Sequence, residues 1–352
     1  MTSKERVKAA LARRPTDHVP VDLWATPETH GRLRAHFGVC CDEDVRLALG
    51  VDLRTVGPKC TGPELPPTES GALRDIWGVE RTRVDSGAAQ YLEVSRYPLA
   101  EVESVAEVDA YPWPDPTAYD FDEVARQGEA AGEHYLVNVG HRLNRTSLLK
   151  CAMYLRGMDT FLMDLTLRPE LAQAIIKHVT DYYLAHNERT FEAGRGLVDA
   201  FMLGDDFGTQ DGLLVGAECW REFFAPGLRE FAAQARSYGL TVMMHSCGAV
   251  RELIDDFVEL GVEVLNPVQV RAAGMAIEGL KRDFGDRIAF YGGIDIQETL
   301  PRGTVEEVER EVADTIQVLG ADGGYILAPT HNIQVDTPVE NVLAMYRAAG
   351  SM

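Results

Sequence analysis

Two stretches of this sequence carry metal-ligating residue types at points where an apolar run gives way to a turn. In Val242-Met243-Met244-His245-Ser246-Cys247-Gly248, the run delivers His245 and Cys247 two residues apart, on one side of an extended chain. Imidazole nitrogen and thiolate sulfur are the ligands zinc prefers, and this spacing lets both reach one ion. Gly248 lets the backbone turn sharply, and a helix starting beyond it favours the thiolate. In Gly323-Gly324-Tyr325-Ile326-Leu327-Ala328-Pro329-Thr330-His331, a second apolar run ends near His331. Of nine histidines, His245 and His331 fall at the ends of strong core runs. With Cys247 they supply the three protein ligands of a catalytic zinc that keeps one position open. The plainer alternatives are a buried cysteine beside a hydrogen-bonded histidine, and a loop histidine bonded to backbone.

A third stretch, Gly204-Asp205-Asp206-Phe207-Gly208-Thr209-Gln210-Asp211-Gly212, follows the run Ala200–Leu203. Paired carboxylates there can orient a ligand histidine, hold a substrate or act as general base. Asp205, Asp206 and Asp295 are therefore the candidate catalytic acids, and Gln210, Asn266 and Gln269 the candidate substrate-binding groups. A helix-capping or turn role is the alternative for each. The vicinal Cys40-Cys41 pair is set aside, and Trp77, Trp113 and Trp220 read as packing residues.

These groups need a scaffold that gathers the ends of several strands. Apolar runs at Val19–Leu23, Val51–Val56, Tyr135–Val139, Ala200–Leu203, Val242–Met244, Val262–Leu265, Ile288–Tyr291 and Tyr325–Leu327 read as buried parallel strands. Helical patterns lie between them. After Gly248, the residues Val250, Leu253, Ile254, Phe257 and Val258 recur at helical spacing, and Gly261 closes the helix. Thr304-Val305-Glu306-Glu307 is a capping-box pattern, and Thr337-Pro338-Val339-Glu340 repeats it with proline at the first helical position. Cys219–Tyr238 reads as one outer helix. Alternating strands and helices leave an open doubly wound sheet or a closed barrel. Eight candidate strands, with no Gly-x-Gly-x-x-Gly fingerprint after an early one, favour a (β/α)8 TIM barrel, an α/β fold. The sequence reads as a single domain over 1–352, with an irregular insertion near residues 60–116.

Composition narrows the partners. The chain has 352 residues, 34 Lys and Arg against 55 Asp and Glu, and a net charge of −21. No basic stripe suits a phosphate backbone, so nucleic acid is not expected. No apolar run reaches the length of a membrane span, and Met1–Arg6 lacks the core of a signal peptide. Six cysteines in a chain this long do not make a disulfide framework, so a reduced, cytoplasmic protein is expected.

Several stretches together resemble the uroporphyrinogen decarboxylase-like superfamily. They are Arg6–Leu11 leading to His18-Val19-Pro20-Val21, the loop 204–210, His245-Ser246-Cys247-Gly248, Asn266-Pro267-Val268-Gln269, Tyr291-Gly292-Gly293-Ile294-Asp295 and the tail 323–346. The resemblance runs nearly end to end, weakest across 60–120, and implies one barrel with its cleft at the C-terminal strand ends. One branch of that superfamily, the decarboxylases, needs no metal and uses an early Arg-Gln-Ala-Gly-Arg-Tyr-type loop. Here that segment reads Ala25-Thr26-Pro27-Glu28-Thr29-His30. The other branch comprises zinc-dependent methyltransferases that work with corrinoid proteins and ligate zinc through His-x-Cys and a distant cysteine. His245 and Cys247 match, and His331 stands where the cysteine would be. Two imidazoles and one thiolate would leave the zinc site formally +1, which makes a bound anion less nucleophilic.

The resemblance thus implies a zinc-dependent methyltransferase. It would move a methyl group between protein-bound cobalamin on a partner protein and a small acceptor such as a thiol or folate. Homodimers are common in the family. Two other readings stand beside it: a metal-free decarboxylase-type lyase in which Asp205 protonates a carbon of a carboxylated substrate, and a non-catalytic, zinc-stabilised binding protein.

Overall fold

The computed structural model describes residues 1–62, 67, 68, 71–85, 90–138 and 146–352. Seven parallel strands follow one another round a sheet in chain order: β1 (Leu53–Val56), β2 (Tyr135–Asn138), β3 (Ala200–Gly204), β4 (Thr241–His245), β5 (Val264–Val268), β6 (Ala289–Ile294) and β7 (Tyr325–Pro329). The extended segment 20–22 closes the ring. Leu327 N donates to Pro20 O at 2.8 Å and Asp22 N to Leu327 O at 3.0 Å, while Asp52 N donates to Val21 O at 2.9 Å on the other side. Each of the eight apolar runs lies in this (β/α)8 ring. Val139, the last residue of the third run, lies outside the described residues.

Strand parity sorts the side chains into two cores. Leu53, Tyr135, Val137, Ala200, Met202, Met243, Val264, Ala289, Tyr291, Ile326 and Ala328 fill the lumen, with Val7 of the helix Ser3–Leu11 added from below. Their neighbours Leu136, Phe201, Leu203, Val242, Met244, Leu265, Phe290 and Leu327 face the outer helices. A fully buried aliphatic side chain contributes about 1.5–3 kcal/mol, so a slip of one residue in any strand would exchange the two sets and is strongly disfavoured.

The helix signals were legible to different degrees. Val305–Leu319 opens with the Thr304–Glu307 capping box, its reciprocal bonds both formed. Ile254–Leu260 follows a short turn of tighter helix and stops at Gly261, φ 91°. Thr337 does not cap: the final helix is Val339–Ala348, and Pro338, with extended ψ, occupies the capping position without a side-chain bond. The expected helix Cys219–Tyr238 is two, Ala217–Phe223 and Ala225–Ser237. Pro226 accounts for the break, since it offers no N–H to the preceding turn.

Between β1 and β2 the chain builds a three-stranded antiparallel sheet (Leu73–Arg74, Glu80–Asp85, Gln90–Arg96) and the short helix Val105–Asp109. Trp77 anchors this insertion, packing on Trp113, Tyr182 and Tyr183. Among the described residues no helix is long and apolar enough to cross a membrane.

Candidate metal centre

Register brings the site together. Gly204 of β3 pairs with His245 of β4, and His245 pairs with Asn266 of β5, so three adjacent strands end in one row. Two residues beyond Gly204 stands Asp206, and two beyond His245 stands Cys247. The loops carrying them touch backbone to backbone, Asp205 N donating to His245 O at 3.0 Å and Ala249 N to Thr209 O at 2.8 Å, and Phe207 N adds a bond to the Ser246 hydroxyl at 3.0 Å. Only glycine permits that approach. A Cβ on Gly208 would stand 2.6 Å from both Ala249 N and Cys247 O, and Gly248 sits at φ 84°.

His245 is 2% exposed, and its ring Nδ1 meets Asn266 Oδ1 at 2.6 Å. With Nδ1–H donating to Asn266, Nε2 is the nitrogen turned toward Cys247 and Asp206, and in the neutral tautomer it is the atom a metal would take. Nε2 lies 3.5 Å from Cys247 Sγ and 3.3 Å from Asp206 Oδ1. Among the described residues, Asp206, His245 and Cys247 are the group whose donor atoms all lie within 4.8 Å of one another. Tetrahedral zinc with ordinary bond lengths would have N···S and N···O edges of about 3.6 and 3.4 Å. The donor set fits zinc in kind, and its two edges from His245 Nε2 fit in length. Its formal charge with Zn2+, one thiolate, one carboxylate and a neutral imidazole is zero.

Asp206 is also held from behind. Its Oδ1 accepts from Cys247 N at 3.2 Å and its Oδ2 from Lys150 Nζ at 3.1 Å. Burial opposes ionisation, but the His245 contact, the Lys150 ammonium and the Cys247 amide outweigh it, and the carboxyl stays well below the usual range.

His331 is not part of this set. Between the bridges Val21↔Leu327 and Ala25↔Ile333, six residue steps on one strand face four on the other. The surplus bulges over the rim, and His331 is exposed there. Of the expected His245, Cys247 and His331, the first two fall in the cluster, and Asp206 is the third residue whose donor atom lies with theirs.

The remaining sequence candidates take supporting places. Asp205, 1% exposed, accepts from the amides of Leu148, Leu149 and Lys150 at 2.5, 2.7 and 2.7 Å, capping the helix Leu149–Arg156. Burial pushes its pKa up to about 7 against those three donors. Asp295 likewise accepts from the amides of Gln297, Glu298 and Thr299 and pairs with Arg271. Gln269 Oε1 accepts from Gly248 N at 2.5 Å, and Gln210 Nε2 donates to Arg271 O at 2.6 Å. Asn266 and Gln269, expected on a substrate, bond to His245 and to the turn after Cys247.

Three residues near the site went unread in the sequence. Lys150 occupies the first turn of a helix, where the dipole disfavours a cation, and that misfit was the available signal. Trp24 lies flat on His245, and Tyr291 reaches Trp24 from the lumen. Their inward parity along the strands was the only clue.

The sequence profile of the family described as Uroporphyrinogen decarboxylase (URO-D) matches residues 145–352, more than half of the chain. Among solved structures, a methyltransferase from Methanosarcina mazei is similar over 99% of this chain and 98% of its own, with TM-score 0.69 and 21% identity. Xylanase 10B from Thermotoga maritima covers 99% and 98% with TM-score 0.45 and 10% identity. No curated protein matches in sequence.

Proposed function

The chain belongs to the uroporphyrinogen decarboxylase family, and from that premise we propose that it is a zinc-dependent methyltransferase rather than a decarboxylase. One observation carries the reading: Asp206, His245 and Cys247 present three donors at the spacing of a tetrahedral zinc site, at the C-terminal strand ends where barrel enzymes do their chemistry. The likeness in fold to a protein named as a methyltransferase supports it.

Zinc held there supplies a Lewis acid that lowers the pKa of an acidic acceptor such as a thiol. The protein does the rest. Asn266 orients the His245 ring through Nδ1, Gln269 pins the turn after Cys247, and His245, Lys150 and the Cys247 amide keep Asp206 ionised and in place. Zinc held by this set would be formally neutral and would favour an electron-rich thiolate acceptor, whereas the +1 set containing His331 would not. A methyl group would then pass between the cobalt of a corrinoid, carried on a partner protein, and the small acceptor. The decarboxylase reading asks Asp205 to protonate a substrate carbon. Both its oxygens are occupied by the amides of residues 148–150, which argues against that role.

The test is demethylation of methylcobalamin by zinc-replete protein across a panel of thiols and folates. Turnover with at least one acceptor, lost in Cys247→Ala, is expected. No turnover with any acceptor would overturn the proposal. Metal-free release of CO2 from a carboxylated substrate would then favour the lyase, and tight binding without turnover the binding protein.

A further inference from the structure

Trp24 is placed in an unusual way for a residue that merely fills space. Its ring is parallel to the His245 imidazole, 4° between planes and 5.7 Å between centroids. Its Nε1–H is shared by two acceptors, Asp22 Oδ2 at 2.7 Å and the Tyr291 hydroxyl at 2.9 Å, and Tyr291 in turn donates to the same Asp22 oxygen. Tyr291 is 1% exposed and meets Trp24 edge to face. Asp22 is 9% exposed, and its backbone carbonyl accepts from Tyr346 at 2.9 Å. The Trp24 backbone is tied as well, its carbonyl accepting from Ile333 N at 2.8 Å.

Burying a carboxyl group is costly unless it is well bonded. Spending Asp22 and a buried phenol on the edge of a half-buried indole is poor economy for packing alone. The arrangement makes sense if the plane of the indole matters. The Asn266 bond acts at Nδ1 within the imidazole plane and does little against tilting out of it. A rigid aromatic face laid on the ring blocks that tilt, and so fixes the direction in which Nε2 points.

We infer that Trp24, clamped at its edge by Asp22 and Tyr291, is a positioning residue of the metal centre that sets the plane of the His245 imidazole and with it the metal affinity. This rests on the zinc reading above. Groups that orient a ligand histidine change metal affinity by about 10–100-fold when removed, and Trp24 is assigned that weight here.

The test uses the full chain and metal alone. Zn2+ affinity is measured by competition with a chelating dye, the absorption spectrum of the Co2+-loaded protein is recorded, and tryptophan emission is followed on adding Zn2+. Wild type, Trp24→Ala, Trp24→Phe and Tyr291→Phe are compared, with circular dichroism as the folding control. Expected is a loss of about 10–100-fold in affinity for Trp24→Ala, with smaller losses for Trp24→Phe, which keeps a stacking ring, and for Tyr291→Phe. The Co2+ bands should shift in each, and the Zn2+-dependent emission change should vanish in Trp24→Phe. Should Trp24→Ala not fold, the other two variants decide by the same criteria. Wild-type affinity and an unshifted Co2+ spectrum in the folded variants would overturn the inference and leave the zinc reading standing. Failure of the wild type to bind either metal would overturn the zinc reading itself.

Discussion

The substitution pair Asp206→Asn and His331→Ala separates the ligand set seen in the structure from the one spacing suggested. Zinc at 100 times its dissociation constant stabilises the folded state by about 2.7 kcal/mol. A chain of 352 residues unfolds with an entropy near 0.74 kcal/mol per kelvin at about 2.1 cal/mol/K per residue, so the wild type should melt about 4 °C higher with zinc than without. Removing a group that only orients a ligand already weakens binding by about 10–100-fold, so loss of a ligating carboxylate should cost at least two decades. At the same zinc concentration Asp206→Asn then retains RT ln 2, about 0.4 kcal/mol, or roughly half a degree. His331→Ala should keep the full shift. Calorimetry with and without buffered zinc reads this as a difference within each variant, which cancels any effect of losing the Lys150–Asp206 contact. Metal content by mass spectrometry should follow the same order. A full shift in Asp206→Asn together with its loss in His331→Ala would refute the geometric assignment and restore the one from spacing.

Three further outcomes follow from the same coordinates. Asn266→Ala should weaken zinc by about 10–100-fold, or about 1.4–2.8 kcal/mol, because the His245 tautomer is no longer fixed; a chelator competition titration measures it. Gly208→Ala forces a Cβ against the backbone of Cys247 and Ala249, and should destabilise the fold by about 1–3 kcal/mol in urea denaturation while also weakening zinc. Asp17 is held below the carboxylate range chiefly by its bonds to Arg6, with the chain amino group and the His18 amide assisting. A depressed carboxylate contributes stability that is present above its unfolded pKa and lost as pH falls. Melting temperature should therefore decline below about pH 4, and less steeply in Asp17→Asn.

Much of the barrel could be read from sequence because one physical rule repeats in it. Most barrel strands are apolar on both faces, one against the lumen and one against the helices, so a run such as Ala200–Leu203 is visible without any neighbour; Leu53–Val56, which carries Arg54 and Thr55, is an exception. Thr304 was legible for a similar reason, since its box closes within four residues. Thr337 has the same local pattern but Pro338 takes over the capping position, and local pattern could not say so. The site was harder. His245 and Cys247 share a strand end, and their proximity is covalent. Asp206 joins them only through the register Gly204↔His245, and His331 leaves them only through a bulge defined by pairing with residues 21 and 25. Both facts are properties of strand pairing across the ring, which spacing along the chain does not encode. Trp24 is the extreme case: it meets His245 from 221 positions away in sequence, across the closure of the barrel.

On the proposed zinc reading, a carboxylate in place of a histidine in the ligand set bears directly on reactivity. Relative to the two-thiolate set implied by the family resemblance, Asp206 preserves formal charge but replaces a soft donor with a hard one. Less electron density reaches the ion, so a coordinated thiol should ionise at lower pH and its thiolate be somewhat less nucleophilic. Charge can be separated from softness at this one position. Asp206→Cys keeps the neutral set and restores softness, whereas Asp206→His keeps a ligand and makes the set +1. With zinc content equalised and methylcobalamin as donor, the rate of thiol methylation should fall in the order Cys, Asp, His. The first step reports softness and the second charge, and thiol pKa read from the pH profile should fall across the same series as rate falls. A histidine variant at least as fast as the native protein would break the link between the charge of the centre and its chemistry, and with it the argument for a thiolate acceptor.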